Sequence, residues 1–241
     1  MSKLLAGVGR ADVTPPVGLP LMGYILREQA ATAVHDRLLA TAWVLADGNI
    51  KLALVTCDLI FVHPTTVEQI RRRVVERTGI PREHVMICCS HTHSGPVMHA
   101  GPDGKLPEVD TYLGDLVGHV VDAVDEANRG LRDAVWGVGC GKTDIGVNRR
   151  ARRADGSVVF GENEKGSRDS DLLVLRVDTV ESESGARAPL AAIVNGACHA
   201  VCLSSDSSVI SADWPGVMRE KLESATGARV GYIQGACADV N

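Results

Sequence analysis

Two histidines alternate in the segment Cys88–Pro96, CCSHTHSGP, directly after an apolar run. At positions i and i+2, His91 and His93 project to the same side of an extended chain. Imidazole is the commonest metal ligand and titrates near neutrality, so the pair reads as metal or acid–base chemistry, or as two rings capping a turn. Leu190–His199, LAAIVNGACH, repeats the context: an apolar run closes in small residues with His199 at its exit. Asp58 in VTCDLI and Asp239 in GACADVN lie at or beyond two more strand ends. Imidazole nitrogen and carboxylate oxygen at four strand ends suit a zinc site with one position open for water. The two aspartates suit turn capping equally well.

Other motifs are weaker. GVGCGKTDIG lacks the spacing of a phosphate loop, and GVGRAD near the N-terminus has no adequate strand before it, so both read as tight turns. Without a GxSxG elbow, Ser94, Ser204 and Ser205 are nucleophiles only if the fold supplies partners. Residues 149–170 open with RRARR and read as a solvated loop.

Such residues need strand ends to hold them. Continuous apolar runs predict buried strands at Lys51–Val62, His84–Cys89, Ala134–Gly139, Leu172–Val180, Leu190–Ala197 and Arg229–Gln234. Helical spacing follows from Thr65 to a stop at Gly79, over Tyr112–Ala127, and over Trp214–Ala225 with Pro215 in its first turn. Alternating strands and helices predict an α/β fold: a layered mixed, substantially parallel sheet flanked by helices. In such sheets ligands bind at the carboxyl ends of the strands.

The 241 residues are long for one domain and short for two. With 45% apolar and 23% charged residues the composition is globular, not disordered. A net charge of −5 argues against nucleic-acid binding, and 3% aromatics argues against base stacking. No run approaches the roughly 18 apolar residues of a membrane span. The odd cysteine count of seven and the Cys88–Cys89 pair read as reduced, buried thiols. The expected location is the cytoplasm.

Taken together, AGVGRADVTPPVGLPLMGY, HDRLLATAWVLAD, VTCDLIFV, CSHTHSGP, GVNRR, NGACHAV and ISADWPG resemble, in order, the motifs of the neutral/alkaline ceramidase superfamily of zinc-dependent amide hydrolases. The resemblance implies that residues 1–241 are the N-terminal part of such a domain. It implies zinc ligation by His91 and His199. It places His93 beside the metal, orienting substrate or moving protons, and Arg149 of GVNRR on a carbonyl or carboxylate oxygen. The family completes its zinc site with a Glu and a Tyr further along than Asn241, so a second chain or a C-terminal half is expected to supply them. Truncation, a natural two-chain enzyme and self-cleavage after Asn241 all remain open.

One departure bears on substrate. Where ceramidases have a Ser in a GDVSP-like segment, this chain reads ADVN, and the carboxamide of Asn241 cannot act as a base. The expectation is therefore a zinc-dependent amidase of a small soluble substrate, not of ceramide, in an oligomer. The alternatives are a non-catalytic binding or assembly subunit of a two-chain enzyme, and a metal-dependent ester hydrolase, phosphate esters included.

Overall fold

The structure, a computed structural model, describes residues 4–99, 106–181 and 183–241. Its elements are β1 (Leu5–Asp12), β2 (Ala33–Val34), β3 (Leu39–Ala46), β4 (Lys51–Cys57), α1 (Pro64–Thr78), β5 (Val85–Cys89), α2 (Pro107–Arg129) and β6 (Arg132–Lys142). There follow β7 (Asn148–Arg152), β8 (Val158–Asn163), β9 (Asp171–Val180), β10 (Arg187–Gly196), β11 (Val209–Ile210), α3 (Asp213–Thr226) and β12 (Arg229–Gln234). Among the described residues, no helix is long and apolar enough to cross a membrane.

Eight strands form one mixed sheet in the order β12-β10-β9-β6-β1-β3-β4-β5. Its outermost pairings, β12 with β10 and β5 with β4, are parallel. The five between them are antiparallel. The substantially parallel sheet expected from the sequence is thus corrected to a mostly antiparallel one. Short turns join β3 to β4 and β9 to β10, and a short turn permits only antiparallel pairing. The parallel pairs are the ones with a helix between their strands, α1 in one case and α3 in the other.

Strand alternation sends side chains to two cores. Ala40, Ala42 and Val44 of β3 and Ala53, Val55 and Cys57 of β4 meet Ile70 and Val74 of α1 and Leu116, Val120 and Val124 of α2. The intervening Trp43, Leu45 and Leu54 face the other way, onto Ala134, Val177, Ala191 and Ile193 from β6, β9 and β10. The sheet therefore doubles over, and β12 comes to lie against β3 and β4. A Cβ at Gly231 would stand 2.0 Å from the Trp43 indole and 2.6 Å from Thr56 Oγ1, so only glycine allows this approach. On the outer side, Trp214 and Met218 of α3 cover Val194, Val230 and Tyr232.

Charge pairs cross the seam. Arg10 of β1 donates to Thr41 Oγ1 at 2.9 Å and to Glu223 Oε2 of α3 at 3.0 Å. Arg219 of α3 pairs with Asp58, which also accepts from the Leu39 amide at 2.9 Å. Burial pushes the Asp58 carboxyl up against the opposing pull of Arg219.

Three local readings change. GVGRAD is strand β1: its glycines are there because Cβ atoms at Gly7 and Gly9 would stand 2.0 and 2.1 Å from the Ala127 and Ala123 carbonyl oxygens of α2. GVGCGK lies in β6, where pairing with β9 along its length overrides the turn preference of its glycines. Residues 149–170, read as loop, contain the β7–β8 hairpin, turned at Asp155-Gly156 with Gly156 at φ 84°. The cysteines are not all buried either, since Cys140 and Cys202 are exposed.

Two outcomes test this packing. Gly231→Ala is expected to cost about 1–3 kcal/mol by overpacking, and Trp43→Leu in the same chain to recover part of it in urea melts. Arg219→Met strips a buried carboxylate of its partner, a loss of about 3–5 kcal/mol at pH 8. Asp58 then binds its proton more tightly folded than unfolded, where its pKa is about 3.9. Stability of the variant therefore falls as pH rises above that value, and its deficit is smaller at pH 5 than at pH 8. A deficit that does not change with pH would show that Asp58 carries no uncompensated charge.

Candidate active site

The doubled sheet brings the chain segments after β5, β10 and β12 to one place. Backbone hydrogen bonds tie them together. Thr92 bridges Ala200 in parallel, and the His93 amide donates to Ala200 O at 3.2 Å. The His199 amide donates to Val240 O at 3.0 Å, and the Arg149 amide to Asp239 O at 2.8 Å. Loops that would otherwise fray thus continue the sheet beyond its strand ends.

His91, His93 and His199 meet here. Ring centroids stand 5.0 Å apart for His91–His93, 5.0 Å for His91–His199 and 5.4 Å for His93–His199. The extended conformation expected for His91 is not what brings it there: its φ is 64°, a left-handed conformation uncommon in residues other than glycine. The turn is fixed by its amide, which donates to Leu59 O at 3.0 Å.

The ring orientations follow from backbone carbonyls. Nδ1 of His91 lies 2.9 Å from Ile60 O, and Nδ1 of His199 lies 3.2 Å from Val240 O. A carbonyl only accepts, so Nδ1 carries the proton in both rings and Nε2 keeps its lone pair. Trp214 Nε1 also donates to His199 O at 2.9 Å, holding the loop from the first turn of α3. One donor atom each from His91, His199 and Cys237 lies within 4.8 Å of the others. This is near the roughly 3.5 Å between donors around a tetrahedral zinc, and nitrogen and sulfur are donors zinc favours. The residues fit such an ion.

Neither ring nitrogen of His93, both buried, has a hydrogen-bond partner. Its pKa is lowered to about 4, first by burial and then by the neighbouring histidines, Arg149 and Arg27. The His199 pKa is lowered mainly by burial. His93 is framed by residues that the sequence reading assigned no role. Its ring stacks edge-on with Tyr24 at 5.1 Å, and its carbonyl accepts from Arg27 Nη1 at 2.6 Å. A Cβ on Gly23, at φ 121°, would stand 2.5 Å from the imidazole. Only the place of Gly23 and Tyr24 in the motif LMGY was visible beforehand.

Arg149 comes from β7. It donates to Ala238 O at 2.7 Å and to Asn241 Oδ1 at 3.2 Å, with its guanidinium 5.7 Å from the Phe160 ring centre. It borders an open depression of about 620 Å³ together with His91, His199, Gln234, Cys237 and Asp239. The buried Gln234 Oε1 lacks a partner. Of the two aspartates weighed as ligands, Asp239 lies at this depression but holds Asn148 Nδ2 at 3.2 Å. Asp58 is spent on Arg219. Ser94 is buried, whereas Ser204 and Ser205 are exposed and present their carbonyls to Arg27.

Comparisons with known proteins bear on this centre. Residues 4–235 match the profile described as neutral/alkaline non-lysosomal ceramidase, N-terminal. Neutral ceramidase 2 of Arabidopsis thaliana is 29% identical over 236 residues, which cover 91% of this chain and 30% of that protein. Neutral ceramidase of Oryza sativa subsp. japonica is 28% identical over 236 residues, 92% of this chain and 29% of that protein. The chain thus spans about 30% of the length of these curated relatives. In fold it is similar to the crystal structure of neutral ceramidase from Pseudomonas aeruginosa, with a TM-score of 0.80 at 22% identity over 100% of this chain and 39% of that one. With the profile running almost from end to end, the chain belongs to the neutral/alkaline non-lysosomal ceramidase family.

Proposed function

We propose that this chain carries part of the centre of a zinc-dependent hydrolase that cleaves a linear amide bond of a small soluble substrate. Family membership supports hydrolysis. The observation that carries the finer reading is the pair His91 and His199, each with Nδ1 held by a backbone carbonyl and each with a ring nitrogen within 4.8 Å of one on the other. Zinc bound there would supply Lewis acidity towards a carbonyl oxygen and would lower the pKa of a water.

The chain's own residues do the rest. His91 and His199 would hold the ion through Nε2, the nitrogen that the carbonyls leave free. His93 is neutral at physiological pH and has no partner on either nitrogen. It would accept a proton from the attacking water at its free lone pair and return it to the amine nitrogen as the C–N bond breaks. Arg149 is anchored by Ala238 and Asn241, and its remaining donors hold the carbonyl or a carboxylate oxygen of the substrate. Asn241 stands where the resemblance expects a serine and here accepts from Arg149, which makes it a positioning residue. Ceramide is not the substrate we favour.

Residues 1–241 act, in this reading, as the N-terminal part of the hydrolase domain, in the cytoplasm. Trp136 and Val138, 62% and 63% exposed on the inner face of the sheet, are the surface we assign to a C-terminal half or second chain completing the site. The same surface and Asn241 favour the second reading, a non-catalytic assembly subunit.

In the intact protein, His91→Ala and His199→Ala are each expected to remove bound zinc. Each should lower kcat/KM on short N-acyl amides by more than the roughly 10–100-fold that loss of a supporting partner costs. Chelator-insensitive amidase activity in a metal-free protein would overturn the zinc reading, and unchanged turnover in both variants with assembly impaired would establish the subunit reading. Arg149→Met is expected to lose about 1.5–3 kcal/mol of transition-state binding, roughly 10–100-fold in kcat/KM, with zinc content unchanged by metal analysis.

A further inference from the structure

We propose that Cys237 is a third protein donor to the metal, through its thiolate, so that the part of the centre built by this chain is a His2Cys set. The inference rests on the zinc reading of His91 and His199 and goes beyond it. Nothing in the motifs marks Cys237; it is one of seven cysteines, between two alanines in GACADVN.

Its place in the fold sets it apart from the other six. Cys237 lies in the turn that leaves β12, and Val240 closes that turn by donating its amide to Cys237 O at 2.9 Å. Val240 O receives both the amide of His199 and its Nδ1. One short turn therefore orients the imidazole and carries the thiol, and the two donors cannot drift independently. The thiol is buried, at the edge of the same depression as both histidines.

Competing donors are committed elsewhere. Asp239 Oδ2 accepts from Asn148 Nδ2 at 3.2 Å and lies 3.8 Å from Arg150 Nε. Asp58 is closed off by Arg219 and the Leu39 amide. Among the described residues, the set with three mutually close metal donors is His91, His199 and Cys237.

Coordination replaces the S–H bond by a sulfur–metal bond, and the proton leaves to solvent. Nothing is oxidised or reduced. A thiolate cancels one unit of the ion's charge in a place where Arg149 already contributes a positive one. It also biases the set towards zinc and cobalt and away from magnesium and calcium, which take oxygen donors. Catalytic zinc takes three protein ligands and an open position, so with the thiolate in place at most one of the two oxygen donors that the resemblance expects from further along would reach the ion.

Cobalt(II) in place of zinc in the intact protein separates the alternatives by spectrum, without reference to activity. The expected result is a sulfur-to-cobalt charge-transfer band in the near ultraviolet together with visible ligand-field bands. Cys237→Ser and Cys237→Asp are both expected to lose the charge-transfer band while retaining ligand-field absorption. Cys237→Ser should also bind zinc at least about tenfold more weakly. Unchanged thermal melts of either metal-free variant show that the fold is intact, and the aspartate variant serves if the serine variant unfolds. Ligand-field bands without charge transfer in the unsubstituted protein, or a charge-transfer band that survives both substitutions, would overturn Cys237 and leave the histidine reading standing. No cobalt bound at all would overturn both, and His91→Ala, expected to abolish every band, marks that limit.

Discussion

Gly231 lets β12 lie against the indole of Trp43, and the site depends on that contact. His91 follows a strand on one end of the eight-stranded sheet, while His199 and Cys237 follow strands at the other end. In a flat sheet they would be separated by its full width. Because the sheet doubles over a core of Trp43, Ala134, Val177, Ala191 and Ile193, the two ends meet. The half-buried pair Arg10–Glu223 and the more deeply buried pair Arg219–Asp58 cross the same seam. Buried ion pairs return little net stability because each charge must be desolvated. A slip of the two halves would leave the buried Asp58 carboxylate without its partner.

The second level of order is the backbone lacing of three loops. A histidine can offer a metal or a proton either nitrogen, and which one is available depends on what holds the other. Ile60 O and Val240 O make that choice for His91 and His199 before any ligand arrives. Backbone carbonyls cannot rotate away as side chains can, so the orientation is as rigid as the fold. The left-handed backbone at His91 is part of the same arrangement, held by the bond of its amide to Leu59 O.

Much of the centre was legible from residue order, and the reasons it was not wholly legible are physical. Apolar runs located β4, β5, β9, β10 and β12, because buried strands carry that signal on their own. Strand β1 was hidden because Gly7 and Gly9 answer to the backbone of α2, a neighbour distant in sequence. Hairpin β7–β8 was hidden because arginines on its exposed face resemble a solvated run. The strand-end histidines stood out as a pattern, and the conjunction of His91, His93 and His199 in space agrees with it. Their projection from an extended segment was the wrong reason, since His91 sits in a turn. Tyr24, Arg27 and Gly23 carried no local signal: a glycine against an imidazole is a constraint only once the imidazole is in place. Asp58 shows the converse, a strand-end carboxylate with a suitable type and position that packing assigned to Arg219.

Charge balance then narrows what the centre can accept. Three imidazoles and the guanidinium of Arg149 gather where the nearest carboxylate, Asp239, is already engaged by Asn148 and Arg150. Burial holds His93 and His199 neutral, and the nearby arginine opposes their protonation further. That state is the one in which imidazole can bind a metal or take a proton. It also leaves the surroundings short of negative charge, so an added divalent cation calls for an anionic partner close by. Within the chain a cysteine thiolate can provide it; from outside, an oxyanion developing on the substrate can, with Arg149 beside it. In the reading we propose, such a centre would stabilise negative charge forming on a carbonyl oxygen, which is the electrostatic requirement of amide hydrolysis.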